Sequence, residues 1–175
     1  MARVPLMYAV RSTDTVTGDN TAVAHQIYAS GWMQQVFLAT GTQVASVSAV
    51  ISLNAPSFKP FPIEFDVMTT GGKIIGTTRV PYDGSTNNVE LHASFPKPVP
   101  LKRGNLYALR VTNESALTIA MYAHVYNDDP ALTTPYPIPV CAFGSGDGGP
   151  KAIPILDDND TYQMLSGSIY ASAPG

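Results

Sequence analysis

The sequence predicts an all-β protein: a single-domain antiparallel β-sandwich of about eight or nine strands. Three observations predict it. Apolar and polar residues alternate at period two in run after run. No long window repeats apolar residues at the i, i+3, i+4, i+7 spacing of a helix. Between the runs, 15 prolines and 14 glycines spread through 175 residues act as punctuation.

The strands follow in order. Residues 33–39 make a first, irregular run. Ala45, Val47, Ala49, Ile51 and Leu53 then alternate with Ser46, Ser48 and Ser52, ending at Asn54-Ala55-Pro56. Ile63, Phe65 and Val67 alternate with Glu64, Asp66 and Met68 before the Gly71-Gly72 turn. A less regular strand is expected over 73–80. Val89, Leu91, Ala93 and Phe95 alternate with Glu90, His92 and Ser94 as far as Pro96. Tyr107, Leu109 and Val111 form the next inward set, after a turn at Gly104. Leu117, Ile119, Met121, Ala123 and Val125 alternate with Thr118, Ala120, Tyr122, His124 and Tyr126. Shorter strands are expected over 140–143 and 161–171. In each regular run one face is expected to be buried and the other wetter.

Two stretches stand outside this pattern. Residues 1–25, rich in Thr, Asp and Asn after the first ten, read as an extended N-terminal arm, leaving 26–175 as the sandwich domain. Residues 127–160 carry six prolines and the run Gly144-Ser145-Gly146-Asp147-Gly148-Gly149, which predicts a long irregular excursion.

Composition bounds the function. Ten Lys and Arg against 13 Asp and Glu give a formal charge of −3, which argues against a general nucleic-acid binder. Charged residues are only 13% of the chain, against about 25% in typical domains, as suits a surface largely covered by partners. Cys141 is the only cysteine, so neither an intrachain disulfide nor a paired-thiolate zinc site is available. The opening residues lack the apolar core and cleavage site of a signal peptide, which predicts folding in the cytosol. No segment approaches the ~20 apolar residues of a membrane helix.

Several segments together resemble jelly rolls of the carbohydrate-binding-module type. They are Trp32-Met33-Gln34-Gln35-Val36-Phe37, Val44-Ala45-Ser46-Val47, Ile63-Glu64-Phe65-Asp66-Val67, Leu101-Lys102-Arg103-Gly104-Asn105-Leu106-Tyr107-Ala108-Leu109 and Leu165-Ser166-Gly167-Ser168-Ile169-Tyr170. The resemblance covers residues 30–126 and 161–171 and implies a jelly-roll β-sandwich. That architecture also serves in bacteriophage decoration and fibre proteins. It further implies a structural calcium, and the acidic clusters Asp128-Asp129 and Asp157-Asp158 with Asp160 supply oxygen ligands for one. Neither cluster follows the D-x-[DN]-x-[DN]-G spacing, so solvated turns are the competing and favoured reading.

Motifs for catalysis are weak. His25, His92 and His124 each stand alone, without metal-ligand spacing. No G-x-S-x-G elbow exists, and the glycine cluster at 144–149 runs into Pro150 and Pro154 rather than a helix, so a surface loop is expected in place of a phosphate loop. Glu64, Asp66 and Glu90 are the carboxylates on wetter faces that glycoside hydrolysis could use, though outward strand carboxylates ordinarily only solubilise.

Contact residues are better marked. Tyr122, His124 and Tyr126 share one strand face and suit core or inter-subunit packing first, with a protein contact or a sugar platform as the other readings. Trp32, the sole tryptophan, is expected at a core edge. Lys102 and Arg103 read as the polar lip of a turn and a place where a partner can touch. The expected function is therefore a non-enzymatic virion structural protein without cofactor, either capsid decoration or a tail fibre or baseplate module. Its expected partners are other virion proteins and copies of itself, a trimer among the states, with no nucleic acid and no membrane. The alternative is a carbohydrate-binding or adhesion module of an extracellular protein, bound to surface glycans. A glycan-active enzyme is a distant third.

Overall fold

A computed structural model describes residues 6–10, 21–52, 60–82, 89–115, 117–125, 143–147, 163–165 and 167–171. Twelve strands run through them: β1 (Leu6–Val10), β2 (Thr21–Ile27), β3 (Gly31–Leu38), β4 (Gln43–Ser52), β5 (Phe61–Thr69), β6 (Ile74–Tyr82), β7 (Val89–Pro100), β8 (Leu106–Asn113), β9 (Ile119–Val125), β10 (Phe143–Asp147), β11 (Gln163–Leu165) and β12 (Gly167–Tyr170). They form two antiparallel sheets packed as a sandwich, and the predicted all-β class is what the chain adopts. The expected runs account for β3 to β9, β11 and β12, while of the run expected over 140–143 only Phe143 is described, as the first residue of β10. The count rises because β1 and β2 add two strands and the run at 161–171 divides into β11 and β12.

The five-stranded sheet has the order β10-β3-β8-β5-β6. In the seven-stranded sheet, β4 pairs with β7 on one side. Its other side pairs first with β12 and then, at Ile51 and Ser52, with β9. β9 pairs with β2 along its whole length and with β11 over 123–125, while β1 pairs with β12. The chain over 163–170 thus passes from β9 to β4. Of residues 1–25, read from composition as an arm, the described parts lie in β1 and β2 of this sheet.

The alternation explains the core. Val47, Ala49 and Ile51 from β4, with Ala93 and Phe95 from β7 and Ile169 from β12, turn inward from the seven-stranded sheet. They meet Met33 and Phe37, Ile63, Phe65 and Val67, and Leu109 and Val111 from the facing sheet. Phe61 and Tyr82 pack edge to face across the β5–β6 pair, with centroids 5.4 Å apart. Gln35 also points inward, where its Oε1 accepts from the Leu165 backbone N–H at 3.1 Å and links the two sheets.

Turn chemistry closes the ends. Gly72 and Gly104 take φ of 92° and 90°, a region closed to most side chains, in the turns leading into β6 and β8. At the latter, Asn105 N–H donates to Lys102 O and Gly104 N–H to Ala39 O. Asn113 fastens the opposite end. Its Nδ2 donates to the carbonyls of Ile27, Tyr28 and Leu117, and its Oδ1 accepts from Ser115 N and Oγ.

The edge strands β6 and β7 close one flank of the sandwich. Thr78 Oγ1 donates to Ser94 O at 3.0 Å. Two residues earlier, a Cβ on Gly76 would lie 2.2 Å from Val99 Cγ2, so only glycine admits this approach. Among the described residues no helix is long and apolar enough to cross a membrane.

Candidate functional site

Charged and aromatic side chains gather on the outer face of the five-stranded sheet. Strand register puts them in rows: Trp32 opposite Thr112, Thr112 opposite Glu64, and Glu64 opposite Arg79. The next row runs Gln34, Arg110, Asp66, Thr77. Arg110 is its centre and is fully buried. Its Nη2 and Nε donate to Gln34 Oε1 at 2.9 and 3.3 Å, and its guanidinium lies 4.3 Å from the Trp32 ring centroid. A cation over an indole contributes about 0.5–2 kcal/mol, more as the pair is desolvated.

Burial lowers the Arg110 pKa from the ordinary arginine value, while the charges of Asp66 and then Glu64 oppose that shift. Asp66 Oδ1 accepts from Thr77 Oγ1 at 2.7 Å. Arg79 is half-exposed and bridges Glu64 at 2.8 Å and Glu114 at 3.0 Å. Its hydrogen bond to Glu114 leads, with the charges of Glu64 and Glu114 behind it, in raising the Arg79 pKa. Arg110 Nη1 and Thr112 Oγ1 are buried without hydrogen-bond partners.

This face corrects the sequence reading. Glu64 and Asp66 were expected on a wet face, yet Glu64 is buried and Asp66 is fully so. Pairing with Arg79 and Thr77 is what lets carboxylates sit there. Beside them Val36, Met68 and Ala108 form a second small apolar cluster on the same side of the sheet. Glu90 belongs to the other sheet. Its Oε1 accepts from Ser48 Oγ at 2.8 Å, Ser48 Oγ meets Ser168 Oγ, and His92 Nε2 stands 3.8 Å away. The three carboxylates weighed for glycoside hydrolysis are thus spread over two sheets, each with partners of its own.

Other expected residues fall as follows. Trp32 is half-buried at the start of β3, with Arg110 over its ring. Tyr122 is half-buried on β9, and its hydroxyl pairs with Ser52 Oγ at 3.2 Å, so its polar tip is tied to the sheet. The β9 backbone sets His124 opposite Ala22 and Met164. Tyr126 and the candidate calcium ligands Asp128, Asp129, Asp157, Asp158 and Asp160 lie outside the described residues, as does Cys141. Among the described residues no group of three or more His, Cys, Asp or Glu could hold a metal ion. Lys102 and Arg103 are both exposed in their turn, and Lys102 N–H donates to Tyr107 Oη at 2.8 Å.

Gly144 to Asp147, expected in a surface loop, belong to β10 and pair with β3. A ladder needs only backbone groups, so glycines can supply it at the free edge of β3. Gln34 and Arg110 were not among the residues expected at a site. Both hold the outward phase in the middle of their strands, and only register reveals that they meet.

Among the described residues an accessible concavity lies elsewhere, at the flank where β6 and β7 approach. It is a groove of about 410 Å³ walled by Ile75, Gly76 and Thr77 on one side and Phe95, Pro96, Lys97, Pro98, Val99 and Pro100 on the other. Its lining is apolar apart from Thr77 and Lys97. The bulge at Ile75, between the Val67–Gly76 and Met68–Ile74 pairs, shapes its β6 wall.

No protein-family model matches the chain, and no curated protein matches it. Among solved structures, an arabinose-bound GH51 α-L-arabinofuranosidase is similar over 74% of this chain, with a TM-score of 0.41 and 11% identity. This chain spans 23% of the length of that one. A likeness at that level carries no argument about function.

Proposed function

We propose that the chain is a non-enzymatic virion structural protein, a capsid decoration or tail fibre or baseplate module that works through protein–protein contacts. The observation that supports this reading most is the groove between β6 and β7. It is apolar and proline-walled, it lies where the edges of both sheets meet, and its one charged lining residue is a lysine. Such a lining suits a polypeptide's side chains rather than a reaction that needs an acid and a base. Low charge and the likeness of sequence pattern to jelly rolls used in virions support the same reading, the latter by architecture alone. A jelly-roll connection of the strands belongs to this proposal.

The test is size-exclusion chromatography with light scattering on the purified chain, followed by a glycan panel. A defined oligomer, a trimer among the candidates, without glycan retention is the expected result. A monomer retained by glycans through Tyr122 and Tyr126 would overturn the proposal and favour a carbohydrate-binding module. Calcium dependence of the mass would bring the acidic clusters into the assembly.

A further inference from the structure

We propose that the β6–β7 flank docks an extended acidic segment of a partner polypeptide, with apolar side chains seated in the groove and carboxylates on Lys73, Lys97, Lys102 and Arg103. The proposal rests on the protein-contact reading above and names the chemistry of the partner.

The first support is the distribution of charge. Residues 67–82 and 91–113 contain six of the ten cations, Lys73, Arg79, Lys97, Lys102, Arg103 and Arg110, and none of the 13 carboxylates. Arg79 is taken up by Glu64 and Glu114, and Arg110 is buried. The other four are exposed, and among the described residues none of them forms a salt bridge. In a chain of net charge −3 this is a segregated basic edge.

The second support is geometry, which joins these cations to the groove. Lys97 lines it directly. Lys73 precedes the start of β6, in the turn where its carbonyl accepts from Thr69 N–H. Thr69 pairs with Tyr107, whose hydroxyl accepts from Lys102 N–H. The turn bearing Lys73 and the turn bearing Lys102 and Arg103 therefore close the same end of the sandwich. Pro100, the last groove residue of β7, is followed by Leu101 and then this basic pair.

The third support is the backbone. β6 ends its sheet and pairs only with β5 among the described residues. A free edge strand is a template for an added strand. On the facing wall, Pro96, Pro98 and Pro100 have no N–H to offer, so an incoming strand is directed to β6. A polyanion without apolar groups, such as a sulfated sugar or a nucleic acid, would use the cations and leave the groove empty. An acidic peptide with apolar residues uses both.

Fluorescence anisotropy with synthetic octapeptides tests this. The probe carries Val-Pro-Ile-Val between two glutamates on each side, with glutamine-flanked and serine-centred versions as controls. Saturable binding is expected, weakened about tenfold by Lys97→Glu with Lys102→Glu and about as much in the glutamine control. It should also weaken as salt screens the exposed cations. The substituted residues are on the surface, and an unchanged melting temperature confirms the fold. No binding, equal binding of the serine-centred peptide, or tighter binding of a heparin oligosaccharide or single-stranded DNA overturns the proposal. A mass that rises with concentration, is abolished by the same charge reversal and comes with no peptide binding assigns the flank to a second copy instead, and overturns it too. A chain that assembles in light scattering but ignores the peptide loses this proposal and keeps the broader protein-contact reading.

Discussion

Replacing Gly76 by alanine probes how the two sheets are joined at their flank. The added Cβ would stand 2.2 Å from Val99 Cγ2, 3.0 Å from Cγ1 and 3.2 Å from Cβ. Ordinary contact begins at 3.4 Å, so the closest approach must open by about 1.2 Å. Val99 is buried and β-branched, with little freedom to rotate away. Overpacking of this kind costs about 1–3 kcal/mol. Against it, alanine in a strand is favoured over glycine by roughly 0.5–1 kcal/mol. The net expectation is a loss of about 1–2 kcal/mol, a sign opposite to that of backbone preference alone. Val99→Ala removes both methyl groups that clash and is itself destabilising. In the double variant the methyl added at position 76 occupies part of the vacated space, leaving only the 3.2 Å approach to Cβ. Urea denaturation followed by the fluorescence of Trp32 gives all three values. The double variant should be more stable than the sum of the singles by about 1 kcal/mol or more. Additivity within about 0.5 kcal/mol, or a Gly76→Ala protein more stable than the parent, would refute the steric reasoning.

Three further outcomes follow from the packing. Gly167→Ala would set its Cβ 2.1 Å from the Ser48 carbonyl oxygen, a backbone atom that no side-chain change can move. Its loss should reach about 3 kcal/mol or more, seen as a larger fall in melting temperature than for Gly76→Ala, and Ser48→Gly should not rescue it. Asn113→Asp keeps the shape but turns the donor that serves three carbonyls into an acceptor. It should cost about 2–3 kcal/mol in urea titration, and a protein as stable as the parent would remove Asn113 as the clasp. Arg110→Lys loses the fork on Gln34 and the stacking on Trp32. A loss of about 2 kcal/mol is expected, with a change in Trp32 emission. An unchanged spectrum would separate the two side chains.

Alternation made the inner faces legible: Val47, Ala49 and Ile51, Ile63, Phe65 and Val67, and Tyr107, Leu109 and Val111 all turned inward as their spacing required. The outer faces were harder because period two identifies one buried side and assigns the other to water by default. Ser48, Asp66 and Arg110 break that default, being buried through cross-strand partners whose identity depends on register. β2 was hidden by the polar composition around it, and β10 by its glycines, since neither signals a strand through side chains. For the same reason the basic residues at 73, 97, 102 and 103 looked scattered. They occupy different strands and turns, and only the register of β5 with β8 and the approach of β6 to β7 bring them to one flank.

The passage of residues 163–170 from β9 to β4 also bears on how the protein is made. β4 acquires its partner β12 through pairs such as Ser48 with Ser168, and β1 acquires the same strand through Val10 with Gly167. Contacts between residues so far apart in sequence form slowly. On the ribosome, β4 would therefore emerge long before the strand that completes it, with its second edge uncovered. The low charge of this chain gives that edge little protection against its neighbours on a polysome. Arrest of synthesis before residue 163 should leave a chain that chaperones hold, and release past residue 171 should let the seven-stranded sheet close as a late event.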